Sequence, residues 1–472
     1  MATEGGLTVA ERIEAIDVAG REATVVAFGS CSKTDRDQPL WPLIVDEDPD
    51  IFVWLGDVVY ADKRLTFNVF EPRPPEEVRQ IFETQKQIPG YQALLDHAPV
   101  VGVWDDHDFG MNNGGRGFEG RATVQDLFLD FIDEPAESPR RVSDGVYASY
   151  TLGGPDQGRT VQLILLDNRY HKDDHGTKGG DMLGEEQWAW LEEQLEATDV
   201  NVTLVGTGLQ VLPSDRPGGE KWFPGARQRL LRLLNQAAER RGSPVVLLTG
   251  DVHFGEMLWT CEGGDGGLAS NGVRIVEVTS SGMTHSCETQ AGVPLCHFAM
   301  WLGYQRSAYS LPAAVAADGT TPIDRGEPQP DAAQRVLEQN FGTVRVNWED
   351  PEPSVEVRVH GLDGSAKLRH RIPLDGSKAA VDERWACPPA AAGINRGRLM
   401  LAGVVAACLA GTPLYLLARL VRWCWRRRHR KASERLVALR GAAAAAEGGD
   451  ASDDVTDSDA SLRRRRNSPK DL

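Results

Sequence analysis

Four short segments carry residues able to do chemistry together: FGSCS (28–32), WLGDVVYAD (54–62), WDDHDFG (104–110) and LLTGDVHFGE (247–256). Among them are Cys31, Asp57, Tyr60, Asp105, Asp106, His107, Asp251 and His253. Thiol, phenol, carboxylate and imidazole groups gathered at one place describe a metal site. Without a cation, such a set suffers like-charge repulsion and must take up protons. Phenolate and thiolate suit a Lewis-acidic ion such as Fe(III), which lowers their pKa values enough to ionise them. Carboxylates suit harder divalent ions such as Ca, Mg or Mn. Asp57 shares a segment with Tyr60 and is the natural bridging carboxylate. Two bridged ions can activate water as hydroxide and clamp a phosphoryl oxygen. Singly, GDxxY after a strand or a lone cysteine says little; the weight lies in their occurring together.

Each segment follows an apolar run. ATVVAF (23–28), IFVWL (51–55), VVGVW (100–104), VQLILL (161–166), VTLVG (202–206), PVVLLTG (244–250) and VRIVEV (273–278) read as buried strands. Between them, 184–198 places Trp188, Leu191 and Leu195 on one helical face, and 225–242 reads as a second amphipathic helix ending at Gly242. Alternating strands and helices predict an α/β domain, and ligands collect at the carboxyl ends of its strands. If these strands are neighbours in one sheet, the site residues converge. NFGTVRVNW (340–348) and 354–372 alternate with period two and predict a terminal hairpin, while 302–338 reads as a long loop.

Further residues carry alternatives. His107 adjoins Asp106 and is placed to protonate a leaving oxygen, with Asp108 or Asp105 to orient it. Arg169 in LLDNRY offers a guanidinium to phosphate, or else pairs with Asp167 or another buried carboxylate. His285 in TSSGMTHS has a similar choice. Asn112 and Asn113 read as turn residues rather than ligands. Asp62 is left to cap a turn. Cys261, Cys287, Cys296 and Cys387 form bridges or stay buried thiols.

The chain has 472 residues and a formal net charge of −18, which excludes a general nucleic-acid binder but not a phosphorylated substrate such as a nucleotide. The tail is different in kind. LMLAGVVAACLAGTPLYLLA (399–418) has no charge and predicts a transmembrane helix, flanked by Trp423, Trp425 and RRRHRK (426–431). The low-complexity remainder reads as disordered. The organisation expected is an N-terminal extension (1–21), a catalytic domain (22–375), a linker (376–398), a span (399–418) and a basic, then disordered tail (419–472). The basic flank predicts a single-pass membrane protein with a cytoplasmic C-terminus and a luminal or extracellular catalytic domain. The N-terminus, however, shows no secretory signal.

The ordered series FGSCS, WLGDVVYAD, VWDDHDFGMNN, LLDNRY, TGLQVL, LLTGDVHFGE, EVTSSGMTHS and NFGTVRVNW resembles the alkaline phosphatase D (PhoD-like) metallophosphatases from about residue 22 to 373. The resemblance implies a calcineurin-like metallophosphoesterase fold, a four-layer α/β/β/α sandwich, and an iron and calcium centre. It also implies hydrolysis of phosphomonoesters, phosphodiesters or both. Cys31, Asp57 and Tyr60 match the iron side; Asp106, Asp251 and His253 fall in the remaining metal motifs. Secreted members carry an export signal, and the C-terminal span is a departure from that pattern. The expected function is a membrane-anchored phosphoesterase with a metal-activated hydroxide, His107 as acid and Arg169 on the phosphate. Its rivals are a phosphodiesterase specific for nucleotides or lipid head groups, and a catalytically inactive receptor or adhesion module. The latter predicts eroded ligands, whereas all four segments are intact.

Overall fold

The computed structural model describes residues 7–66, 69–154, 156, 158–214, 219–260, 275–303 and 335–374, with 400, 401, 403, 419–431, 434, 435 and 438. Met1–Arg396 and Gly397–Leu472 are separate compact units.

In the first unit the apolar runs become strands much as their composition dictates. Ala23–Gly29, Ile51–Leu55 and Val100–Val103 lie side by side and parallel. Phe341–Asn347 joins antiparallel beside Ala23–Gly29, followed by Ser354–His360 and Ala366–Pro373, completing a six-stranded sheet. The terminal hairpin is thus the outer part of a three-strand meander. A seven-stranded sheet has Val276–Thr279, Val245–Thr249, Val202–Thr207 and Arg159–Leu165 parallel at its centre. Gly255–Trp259 with Arg335–Val336 closes one side, and Ala148–Gly154 the other. Strands buried on both faces read as continuous Val/Ile/Leu runs, which is why no alternation marks them.

The four segments come from two sheets rather than from one: the first three follow strands of the six-stranded sheet, and Asp251 follows a strand of the other. The sheets face each other. Gly206 marks the contact, since a Cβ there would sit 2.8 Å from Leu165 and 2.9 Å from Leu55, one leucine from each sheet. Helices cover the outer faces. Trp41–Asp46 and Pro89–His97 lie on the six-stranded sheet through Trp41, Phe52, Trp54 and Tyr91, whose ring centres are 5.1–5.8 Å apart. Gly184–Glu196 and Pro224–Arg241 cover the seven-stranded sheet. The first buries Trp188, Leu191 and Leu195 as the spacing predicts, and the second stops at Gly242, whose φ is 63°.

The C-terminal transmembrane helix is corrected. No described helix is long and apolar enough to cross a membrane. Of 399–418, only 400, 401 and 403 lie among the described residues. The helical stretch that is described, 419–431, carries Arg419, Arg422, Arg426, Arg427, Arg428, Arg430 and Lys431, a charge density that hydrocarbon does not accept. The low-complexity stretch beyond it, and all of the expected loop except its ends, lie outside the described residues.

The sheet contact gives a direct test. Gly206→Val forces methyl groups between Leu55 and Leu165, and overpacking of this kind costs about 1–3 kcal/mol. Urea unfolding should show that loss; an unchanged midpoint would mean that the sheets do not meet there.

Candidate metal centre

The parallel strands of both sheets end on the same side, and the turns that follow them build the site. Gly56 turns the chain at φ 81°, and a Cβ there would lie 2.3 Å from Cβ of Asp105. Asp57 follows immediately at φ 51°. Cys31, Asp251 and His253 also adopt positive φ, at 61°, 68° and 60°. Left-handed conformation costs a non-glycine residue about 1–3 kcal/mol, and such residues cluster where surrounding structure holds them for a purpose. Four of the six residues expected to ligate metal are held in this way.

Asp57 stands at the centre. Its Oδ2 accepts from Tyr60 Oη at 3.1 Å and lies 3.4 Å from Cys31 Sγ, while Oδ1 accepts from the backbone N–H of His107 at 3.3 Å. Ligand atoms of Asp57, Asp106 and His107 lie within 4.8 Å of one another. Asp106 is aimed by the N–H of Asn113, 2.7 Å from Oδ2. Ser281 links the halves of the site: its Oγ is 3.1 Å from Cys31 Sγ and accepts from His253 N–H at 2.7 Å. Asn340 in turn fixes the backbone of Ser281, donating to its carbonyl at 2.7 Å and accepting its N–H at 3.1 Å.

Electrostatics mark the set as incomplete without a cation. Burial, then Asp57, pushes the Cys31 thiol and the Tyr60 phenol well up. Burial raises Asp57 to about 7 and Asp105 to about 6, and lifts Asp251 strongly, with Asp105 and Asp106 adding to it. Burial also opposes ionisation of Asp106, but His107 and Arg169 outweigh it and hold that carboxyl low. His253 Nδ1 and Asp105 Oδ2 are buried with no hydrogen-bond partner. A cation beside these groups reverses the repulsion and supplies the missing partner. The donors therefore fit a metal centre.

The site residues do not all land where the sequence suggests. His107 is oriented by Asp62, whose Oδ1 and Oδ2 lie 2.9 and 3.0 Å from Nδ1. Asp108 instead accepts the N–H groups of Val58 and Asp105, tying two turns together. Arg169 is fully buried behind the site, paired to Asp105 through Nε and to Glu220 through NH1 at 2.6 Å. The guanidinium is thus committed to carboxylates and does not line the cleft. His285 has both nitrogens engaged, Nε2 with Tyr60 Oη at 2.6 Å and Nδ1 with Thr284 Oγ1 at 2.9 Å. Tyr60 Oη thus sits between Asp57 and His285. Cys287 and Cys296 form a disulfide; Cys31 is a free, buried thiol. Asp62, Ser281 and Asn340 are the residues that sequence reasoning misses. Asp62 left a signal as a second carboxylate in the Asp57 segment, and Ser281 and Asn340 lie in the EVTSSGMTHS and NFGTVRVNW motifs without a role to single them out.

Above the centre lies an open cleft of about 650 Å³. Tyr60, His107, His253 and His285 form its floor, and Lys33, Lys63, Arg64 and Arg73 its walls. Buried donors beneath a cationic cleft suit an anionic ligand. The comparisons with known proteins agree. Residues 135–288 match the family described as PhoD-like phosphatase, a stretch that includes Arg169, Asp251, His253 and His285. The chain is similar to a solved structure titled "Structure of PhoD", with 16% identity and a TM-score of 0.50 over 74% of this chain and 71% of that one. No curated protein matches. The resemblance to the PhoD-like phosphatases therefore stands, and a phosphoric ester hydrolase is the enzyme class supported.

The protonation pattern has a thermodynamic consequence. In the folded, metal-free chain Asp57 and Asp105 keep protons up to about 7 and about 6, whereas unfolded carboxylates release theirs near 4. Their stabilisation is complete below about pH 4 and lost as pH rises through the folded values. His107, held up to about 10, acts in the same sense above about 6.5. Burial pushes His253 and His285 down, and they oppose this only below about 6.5. Metal-stripped protein should therefore melt at lower temperature at pH 8 than at about pH 6.5, and added metal should flatten the slope. A metal-free melting temperature that rises over this window would contradict the assignment.

Proposed function

We propose that the chain is a metal-dependent phosphoesterase acting on phosphomonoesters and phosphodiesters. The observation that carries this reading is the gathering of Cys31, Asp57, Tyr60 and Asp106 at strand ends beneath a cationic cleft lined also by His253, with Asp251 after a strand of the facing sheet. Those six residues would hold the metal. The soft and phenolic donors Cys31 and Tyr60, with Asp57 between them, support Fe(III) on that side; the carboxylate Asp106 supports a harder ion such as Ca(II). When bound, such a centre supplies a Lewis acid and lowers the pKa of water.

The protein's own groups supply the rest. Lys33, Arg64 and Arg73 attract and hold the phosphate oxygens in the cleft. In the metal-free chain burial pushes the His107 imidazole down, but Asp106, Asp57 and Asp62 outweigh it and raise its pKa to about 10. When protonated, the imidazole can deliver a proton. Asp62 occupies Nδ1 and leaves Nε2 for the cleft, where it protonates the departing alkoxide. The Tyr60 ring, 4.2 Å from that of His107, keeps the imidazole in place.

Asp57→Ala should lose both bound metal, measured by elemental analysis, and esterase activity; full activity of this variant after chelation and metal replacement would end the proposal. His107→Asn should lower kcat by about 10²–10⁴ on alkyl phosphates, with a much smaller loss on p-nitrophenyl phosphate, whose leaving group needs no proton. Asp62→Asn should reproduce the pattern more weakly and move the alkaline limb of the rate profile to lower pH. Equal losses on both leaving groups would remove His107 from the acid role.

A further inference from the structure

Beyond the cationic cleft lies a second groove of about 750 Å³, and the two share Arg73 and Asn112 as walls. They adjoin at those two residues. Their linings differ in kind. The first holds Lys33, Lys63, Arg64 and Arg73. Among the described residues, the second has no cation besides Arg73; it presents Met111, Phe118 and Val124, with Glu119 and Asp174 among its carboxylates.

The second groove is built into the site. Its floor is the glycine-rich stretch 114–120, and its start is bonded to a candidate ligand, since Asn113 donates its N–H to Asp106. Lys172 Nζ holds the carbonyl of Asn113 at 3.0 Å, and the N–H of Arg116 reaches the carbonyl of Lys172 at 2.8 Å. Gly115 packs so closely there that a Cβ would lie 2.4 Å from that carbonyl oxygen. A preformed groove with apolar walls and a few placed polar groups is the shape of a ligand subsite.

We infer that this groove receives the second arm of a phosphodiester, and that the arm is an uncharged or cationic organic alcohol. The inference rests on the phosphoesterase reading and deepens it. With the phosphoryl group over Tyr60 and His107, the remaining ester arm passes between Arg73 and Asn112. A second phosphate would then face Glu119 and Asp174, which disfavour it; a neutral or ammonium-bearing arm meets apolar walls and carboxylates. The reaction is a hydrolysis. Water oxygen forms the new bond to phosphorus, the bond to one ester oxygen breaks, and that oxygen leaves as an alcohol with the proton from His107. The other ester remains as a monoester.

The test compares three esters with one leaving group: p-nitrophenyl phosphorylcholine, methyl p-nitrophenyl phosphate and p-nitrophenyl phosphate. Metal-loaded wild type should favour the choline diester over the methyl diester by about tenfold in kcat/KM. Gly117 lies in the groove with room for a side chain: a Cβ there would meet a single close atom, Asp174 Oδ1 at 3.4 Å. Gly117→Trp, and independently Thr123→Trp on the facing wall, should abolish that preference. Asp174→Lys should weaken the choline ester selectively. Equal rates for the two diesters in wild type, or a preference that survives both tryptophans, overturns the inference. Hydrolysis of the monoester alone overturns it too, while leaving the phosphoesterase reading intact. Failure to cleave any of the three overturns both.

Discussion

The carboxylate of Asp57 is the constraint on which the site depends. It faces a thiol, a phenol and a backbone N–H from three different segments, and it does so from a left-handed backbone. Burial alone argues against an ionised group there. Its neighbours share the conflict: burial first and Asp57 second raise the thiol and the phenol, and against burial Asp106 with Asp57 raises His107. A cation resolves the conflict, and the fold holds the donors ready for one.

That readiness comes from the way the sheets are arranged. Two sheets in face-to-face contact put two sets of parallel strand ends along one edge. The six-stranded sheet delivers Cys31, Asp57 and Asp106, and the seven-stranded sheet delivers Asp251 and His253. Helix layers on the outside bury the opposite faces and make the strands rigid. Behind the donors, Arg169 and Lys172 neutralise Asp105 and Glu220, so the loops carrying Asp106 and Asn113 rest on a fixed base. Specific binding is left to the cleft, where side chains are cationic and exposed.

Much of this was legible in the residue order, for physical reasons. Doubly buried strands must be continuous apolar runs, and donors at their ends are conspicuous because carboxylates are costly there. Helix 184–196 was readable because its stripe repeats at helical spacing. What stayed hidden depends on tertiary proximity. Asp62 contacts His107 across 45 positions, and Asn340 reaches Ser281 across 59; neither spacing carries a local pattern. Arg169 stayed open because a guanidinium after a strand suits phosphate as well as it suits a buried carboxylate, and sequence does not separate the two uses. Which sheet each segment follows was likewise not readable, since strand adjacency is not written in a strand. The apolar 399–418 run drew a membrane reading from its uncharged length and its aromatic, basic flank.

The path from Cys31 to Asn340 also sets an order of events during synthesis. Cys31 ends the first strand of the domain, yet its neighbour Ser281 is fixed by Asn340, the residue just before the strand that pairs with Ala23–Gly29. A ribosome must therefore release nearly the whole domain before the first donor has its surroundings. Truncated or stalled chains contain every candidate ligand but lack the frame that aligns them. Such fragments expose a free thiol and unneutralised carboxylates, and quality-control proteases would meet them as unfinished protein rather than as slow enzyme.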